Sequence, residues 1–167
     1  PDVRIENSSY LGYSEATEND NMGGLVGTML DQGEDPSLTI ESSYVRAELN
    51  GTHYIGGLVG NTDVRAAINN SYYQGTLTGG NWIGGLVGRG PVNIDHSYAA
   101  GAIDSSNGMQ LGGLVGEMMD GLIADSFAAV SLNSNWLTVG GLIGAIDNGV
   151  VNAWVDADIA GSSQCNS

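Results

Sequence analysis

The groups in this 167-residue chain able to do chemistry are two histidines, 19 carboxylates and one thiol, and their spacing does not assemble a catalytic centre. His53 and His96 are far apart. Neither belongs to a His-Glu-x-x-His pattern, which sets two imidazoles on one helical face around zinc. Serine is abundant, but no nucleophile-elbow pattern frames one. All four basic residues are arginine, so Schiff-base chemistry and most phosphate binding have no lysine to use. Cys165, as the sole cysteine, can form no internal disulfide and reads as a free thiol near the end of the chain. Calcium is the one ligand with some case. Asp31, Glu34 and Asp35 sit close in sequence, and a second oxygen-rich stretch runs from Glu15 to Asn21. A hard cation collects six to eight such oxygens. The Gly-Gly-x-Gly-x-Asp nonapeptide of calcium-binding rolls is missing, so a solvated acidic loop is the expectation.

Composition narrows the partners further. A formal net charge of −15 repels phosphate backbones and anionic membrane surfaces, which argues against nucleic-acid binding. No apolar run approaches the roughly 20 residues of a membrane-spanning helix, so membrane insertion is not expected. Hydrophobic residues make up 41% of the chain. That is enough apolar surface for a core. The chain begins at Pro1, which suggests a removed leader or a segment of something longer.

The elements that position these groups follow from an internal repeat. Gly-Gly-Leu-Val/Ile-Gly occurs five times, beginning at Gly23, Gly56, Gly84, Gly112 and Gly140, with spacings of 33, 28, 28 and 28. The longer first step implies a five-residue insertion in the Asp31–Pro36 stretch. A Ser-aromatic pair recurs out of phase, placing Tyr10, Tyr44, Tyr72, Tyr98, Phe127 and a drifted Trp154 in one series. Five residues after the aromatic come Leu49, Leu77, Ile103, Leu132 and Ile159; four before it come Ile40, Ile68, Ile94, Ile123 and Val150. The first copy breaks both rules, with Glu6 and Glu15 in those places, so it reads as an atypical end turn. His96 falls where sister copies carry Ser42, Asn70 and Asp125, and His53 lies in a corner before Ile55, so both read as surface histidines.

Every apolar run is short and interrupted by Gly, Asn, Asp or Ser, which excludes amphipathic helices. The prediction is an all-β, right-handed parallel β-solenoid of about 28 residues per turn and five to six turns, each turn holding three strands. It forms one domain over 1–167: an atypical turn at 1–22, regular repeats at about 23–159 and a short tail at 160–167. Stacking like on like turns each repeated offset into a ladder. Strand parity places Ser71, Tyr73, Gly75 and Leu77 on the interior face, leaving the aromatics outward or at a corner as a stacked column. That column is structural on the plainest reading, and a sugar- or partner-binding strip on the sharper one. Within Gly-Gly-Leu-Val-Gly a regular strand cannot point Leu86 and Val87 inward together. Either the glycines make a bend through unusual torsions, the favoured expectation, or one ladder faces out.

Gly-Gly-Leu-Val-Gly followed by Ile-x-x-Ser-Tyr-x-x-Gly-x-Leu, best seen at Ile68–Leu77 and Ile94–Ile103, resembles the GLUG repeat of bacterial and archaeal surface proteins. The resemblance runs from about Met22 to Ile159. Such repeats occur in secreted adhesins and in accessory regions of immunoglobulin-A-cleaving metallopeptidases. The resemblance implies an extracellular, elongated, non-catalytic module and supplies no catalytic residues. Two expectations follow: a segment of a surface adhesin with a glycan or cell-surface receptor, or a subunit that stacks end to end through uncapped terminal turns into a filament. An accessory, glycan-binding region of a secreted enzyme is the alternative. A polysaccharide-cleaving groove is disfavoured because the turns are short and Arg46, Arg65 and Arg89 fall in separate copies.

Overall fold

The computed structural model describes residues 2–16, 21–105, 109–134 and 138–160, with the side chains at 150 and 152–160 excepted. These residues contain strands and bends and no helix, and every strand pairing is parallel. The chain is a β-solenoid. One turn shows its plan: His53–Gly56, Val59–Thr62, Ala66–Asn69 and Tyr72–Gly79, four paired segments where three were expected. The extra break comes after Thr62, whose Oγ accepts the Val64 N–H at 3.1 Å and donates to the Val64 carbonyl at 2.8 Å. The next turn has two residues fewer between Arg89 and Val92, so its strand runs unbroken from Val87 to Asp95.

Strands before the Gly-Gly pair form a five-stranded sheet from Asn21–Gly23 to Val139–Gly140, and the remaining strands form a second, 13-stranded sheet. Five copies of a motif bracket four steps between them, so the stack amounts to about four turns rather than five to six. The five-residue insertion is where the spacing placed it. The register offset is 33 at Met29↔Thr62 and has returned to 28 at Leu38↔Ala66.

The Gly-Gly segment bends, and Leu58, Val59, Leu86, Val87, Leu114 and Val115 are all fully buried. Two successive N–H groups, of Leu86 and Val87, converge on the single carbonyl of Leu114 at 2.8 and 3.0 Å, and those of Leu58 and Val59 converge likewise on Leu86. This bulge-like count breaks the alternation and turns two neighbours inward. Its cause is not an unusual torsion, since no glycine of the motif takes a left-handed φ. It is space. A Cβ on Gly84 would lie 2.0 Å from the Val87 carbonyl oxygen, and one on Gly88 would lie 2.4 Å from the Gly60 carbonyl oxygen. The middle glycine faces across the core: a Cβ on Gly57 would meet Tyr73 Cγ at 2.2 Å, and one on Gly85 the Ala99 methyl at 2.4 Å.

The first turn is in register one residue away from the expected alignment. Ser9, not Tyr10, pairs with Tyr44; Ile5, not Glu6, pairs with Ile40; and Ser14, not Glu15, pairs with Leu49. The first copy therefore keeps the isoleucine rule and lacks the aromatic. At the other end Ile123 pairs with Val151, not Val150, because the register slips between Ala124 and Ser126.

Candidate functional site

Four surface features collect the polar and aromatic side chains. The first is the aromatic column. Rings of Tyr44 and Tyr72, Tyr72 and Tyr98, and Tyr98 and Phe127 lie 5.0, 4.8 and 5.0 Å apart with planes within 3–5°. The backbone spacing of stacked strands sets this distance. Arg46 lies 5.5 Å from the Tyr44 and Tyr72 ring centres and donates to the Tyr72 hydroxyl at 2.8 Å. Burial, then the neighbouring Tyr72, pushes the Tyr98 phenol above its ordinary value. Tyr10 is outside the column; its hydroxyl bonds Ser14 Oγ at 2.7 Å and the Tyr13 carbonyl at 3.0 Å, on the interior face. The backbone of Trp154 pairs with Phe127 and that of Ile159 with Leu132, but both side chains lie outside those described. Leu49, Leu77, Ile103 and Leu132 form a continuous buried ladder beneath.

The second feature is the corner before the column. Asn7, Ser42, Asn70, His96 and Asp125 all hold positive φ, from 45 to 49°. This is the left-handed region that Asn and Asp tolerate best. The serine after each is turned inward. Its Oγ donates two residues back, as in Ser71 to the Asn69 carbonyl at 2.7 Å, and accepts the backbone N–H of the preceding turn's serine at 3.1 Å. The same pair of bonds repeats at Ser43, Ser97 and Ser126. In the last turn the register places Ala153 opposite Ser126, and the hydroxyl ladder stops.

On that corner Asp95, His96 and Asp125 bring one ligand atom each within 4.8 Å of one another, a group that sequence reading did not assemble. Two turns meet there, because His96 and Asp125 hold the same repeat position in successive turns. His96 Nδ1 lies 2.9 Å from Asp95 Oδ2 on an open surface. The Asp95 hydrogen bond, then the charges of Asp95 and Asp125, raise the His96 pKa. The group therefore reads as a corner ion pair. Asp31, Glu34 and Asp35 form no such three-ligand group. Asp31 Oδ1 instead accepts the Gly33 N–H at 2.7 Å within its own loop. That is what an acidic turn does in solvent. The companion stretch from Glu15 to Asn21 falls largely on residues 17–20, outside those described.

The third feature was legible in the 28-residue spacing but not singled out. Tyr54 and Trp82 stack at 4.7 Å, both at positive φ, with Arg89 5.7 Å from the Tyr54 ring. Arg89 also pairs with Glu117 at 2.6 Å, a partly shielded ion pair one turn on. Asn61 Oδ1, Trp82 Nε1 and Gln110 Oε1 on this side are enclosed without a partner in the protein.

The fourth is a groove of about 420 Å³ between the corners 50–53 and 78–81 of successive turns. Its floor is backbone, held by Gly51 N–H to the Thr78 carbonyl at 3.0 Å and Asn81 N–H to the Thr52 carbonyl at 3.3 Å. Gly79 and Gly80 admit no side chain, since a Cβ there would lie 2.6 Å from the Gly51 oxygen and 2.4 Å from the Thr52 oxygen, respectively. Its walls are the side chains of Asn50, Thr52, His53, Thr78 and Asn81. His53 is thus half-buried rather than a free surface residue, with Nδ1 enclosed and unpartnered.

No helix among the described residues is long and apolar enough to cross a membrane. No protein-family model matches the chain, and no curated protein is significantly similar to it.

Proposed function

We propose that the chain is a non-catalytic structural and adhesive β-solenoid module that works outside the cell, as part of a surface adhesin. One observation carries the reading: successive turns stack the same three ladders. The serine, aromatic and Leu/Ile ladders repeat the same contacts from turn to turn. Catalysis needs a place unlike its neighbours, with perturbed groups converging on a cleft. A rod of such turns instead supplies length, stiffness and repeated display. The acidic surface and the GLUG resemblance support an extracellular setting. The test is display of the chain on an inert cell or bead, scored for attachment to host-cell or glycan-coated surfaces, beside an assay of polysaccharide and peptide cleavage. Attachment without turnover is expected; turnover by the purified chain overturns the reading.

A second reading, end-to-end stacking into a filament, is supported by the outer strands. Among the described residues Val3–Glu6 and Ser9–Glu15 pair on one side only, and Leu11 and Tyr13 there are 63% and 58% exposed. At the far end Ile146 and Val151, last members of buried ladders, are 48% and 42% exposed. Such edges take another strand. Sedimentation equilibrium decides: mass rising with concentration supports stacking, and a constant monomer mass removes it.

A further inference from the structure

The column is the obvious place for a sugar, and its geometry argues against it. A pyranose stacks on an open aromatic face, but the inner faces of the Tyr44, Tyr72 and Tyr98 rings are covered by their neighbours at 4.8–5.0 Å. What remains outward is mostly ring edge. The groove between corners 50–53 and 78–81 is different in kind. It is a concavity between two corners that Gly79 and Gly80 let approach closely, since a Cβ there would run into Ile55, the Gly51 oxygen and the Thr52 oxygen.

We infer that this groove binds a neutral saccharide, a reading that rests on the adhesive function proposed above and assigns it a site. The groove holds about 420 Å³. Small-ligand sites range over roughly 300 to roughly 1000 Å³, so it is large enough for a sugar unit. The chemistry of the walls selects the ligand class. Amides of Asn50 and Asn81, hydroxyls of Thr52 and Thr78 and the His53 imidazole both donate and accept, and so do sugar hydroxyls. The residues that line it are Asn, Thr, His and Gly, whose carbon atoms give it more apolar than polar surface, which suits the C–H faces of a sugar between its hydroxyls. No carboxylate or guanidinium lines it, so it offers no ion-pair partner. A net charge of −15 repels uronate- or sialate-rich chains before contact. One group is already oriented. Asn81 Oδ1 accepts the Met109 N–H at 3.2 Å, which fixes which end of its amide faces the neighbouring turn. His53 Nδ1 is enclosed without a partner in the protein. A shallow polar site of this kind binds one sugar unit weakly and gains strength when many copies or many repeats of the glycan are presented together.

The test is a titration of the full 15N-labelled chain with neutral mono- and disaccharides (glucose, galactose, mannose, N-acetylglucosamine and lactose) at millimolar concentrations. Expected are shifts of the Gly51, Thr52, Gly79, Gly80 and Asn81 amides, with those of Tyr44, Tyr72 and Tyr98 unmoved. Thr78→Val, a near-isosteric change at an exposed position, and Asn81→Ala should each weaken binding by about tenfold or more; Tyr72→Phe should leave it unchanged. Saturable binding that maps elsewhere, or that survives Thr78→Val with the fold intact, overturns this site and leaves the adhesive reading standing. If none of these sugars moves the groove amides, the site is overturned, while attachment of the displayed chain to surfaces still decides the adhesive reading separately.

Discussion

The two sides of each turn keep time differently. On the Gly-Gly side the register runs Met22, Ile55, Ile83, Leu111, Val139, a first step of 33 that includes the insertion and then three identical steps of 28. On the aromatic side Tyr44, Tyr72, Tyr98, Phe127 and Trp154 are separated by steps of 28, 26, 29 and 27. The slippage is absorbed beside the aromatic side, at irregularities between Gly90 and Val92 and between Ala124 and Ser126. From Ile55 onward the step holds because the outer glycines of each motif are hemmed by the backbone of their own and the neighbouring turn, and the middle one by the neighbouring backbone and side chains of the far wall. The aromatic side is held by side chains, which shift and re-pair. Backbone-to-backbone contact enforces length; side-chain contact enforces only identity.

The contrast breaks most directly at Gly84. Gly84→Ala puts a methyl against the Val87 oxygen and the Gly116 nitrogen, at 2.0 and 2.5 Å. A loss of about 3 kcal/mol or more is expected in urea unfolding, because backbone must move. A loss below that of any aromatic-side variant would undo the comparison. Ser71→Ala comes next. It removes the acceptor of the buried Ser43 N–H. The cost should be about 1 to about 3 kcal/mol in the same assay. Tyr72→Ala deletes two ring contacts, with Tyr44 and Tyr98. Each is worth about 0.5 to about 1.5 kcal/mol. Tyr72→Phe keeps the rings and loses only the Arg46 bond. Its stability should fall within about 0.5 kcal/mol of the parent, as for an exposed polar contact. Equal effects of the two substitutions would mean that the hydroxyl, not the stack, matters.

The smallest effect sharpens the corner. His96 should titrate above 6.5 by NMR, and Asp95→Asn should bring it back down. A raised folded-state pKa means that the protonated ring is favoured in the fold. Its contribution is complete below pH 6.5 and is lost as pH rises through the folded value. A His96 titration unmoved by Asp95→Asn would show the pair to be open in solution.

Much of the candidate surface was readable from spacing, because a solenoid converts sequence period into stacking distance. The Tyr44–Phe127 column and the Leu49–Leu132 ladder are of this kind. The misalignment of the first copy has a physical cause. Its Ser9-Tyr10 pair mimics the motif, but Ile5 has to reach the buried isoleucine ladder. In this register Ile5 and Tyr10 both pack against the core, and covering the two outweighs aligning one ring with the column. Tyr54 with Trp82 obeyed the same period and could have been found by it. The Asp95–His96–Asp125 group lay within the same reach, since His96 and Asp125 hold one repeat position in neighbouring turns and Asp95 adjoins His96.

The sequence alone determined the period, the parallel stacking and which residues form ladders, because translation along the axis is written as repetition. Tertiary structure alone decided what meets across the axis: Gly57 against Tyr73, the shared inward turn of Leu86 and Val87, and the groove between corners 50–53 and 78–81. Those contacts depend on how each turn closes on itself. Closure is set by bulges, backbone crowding and loop lengths summed around the whole turn, which no single repeated offset records.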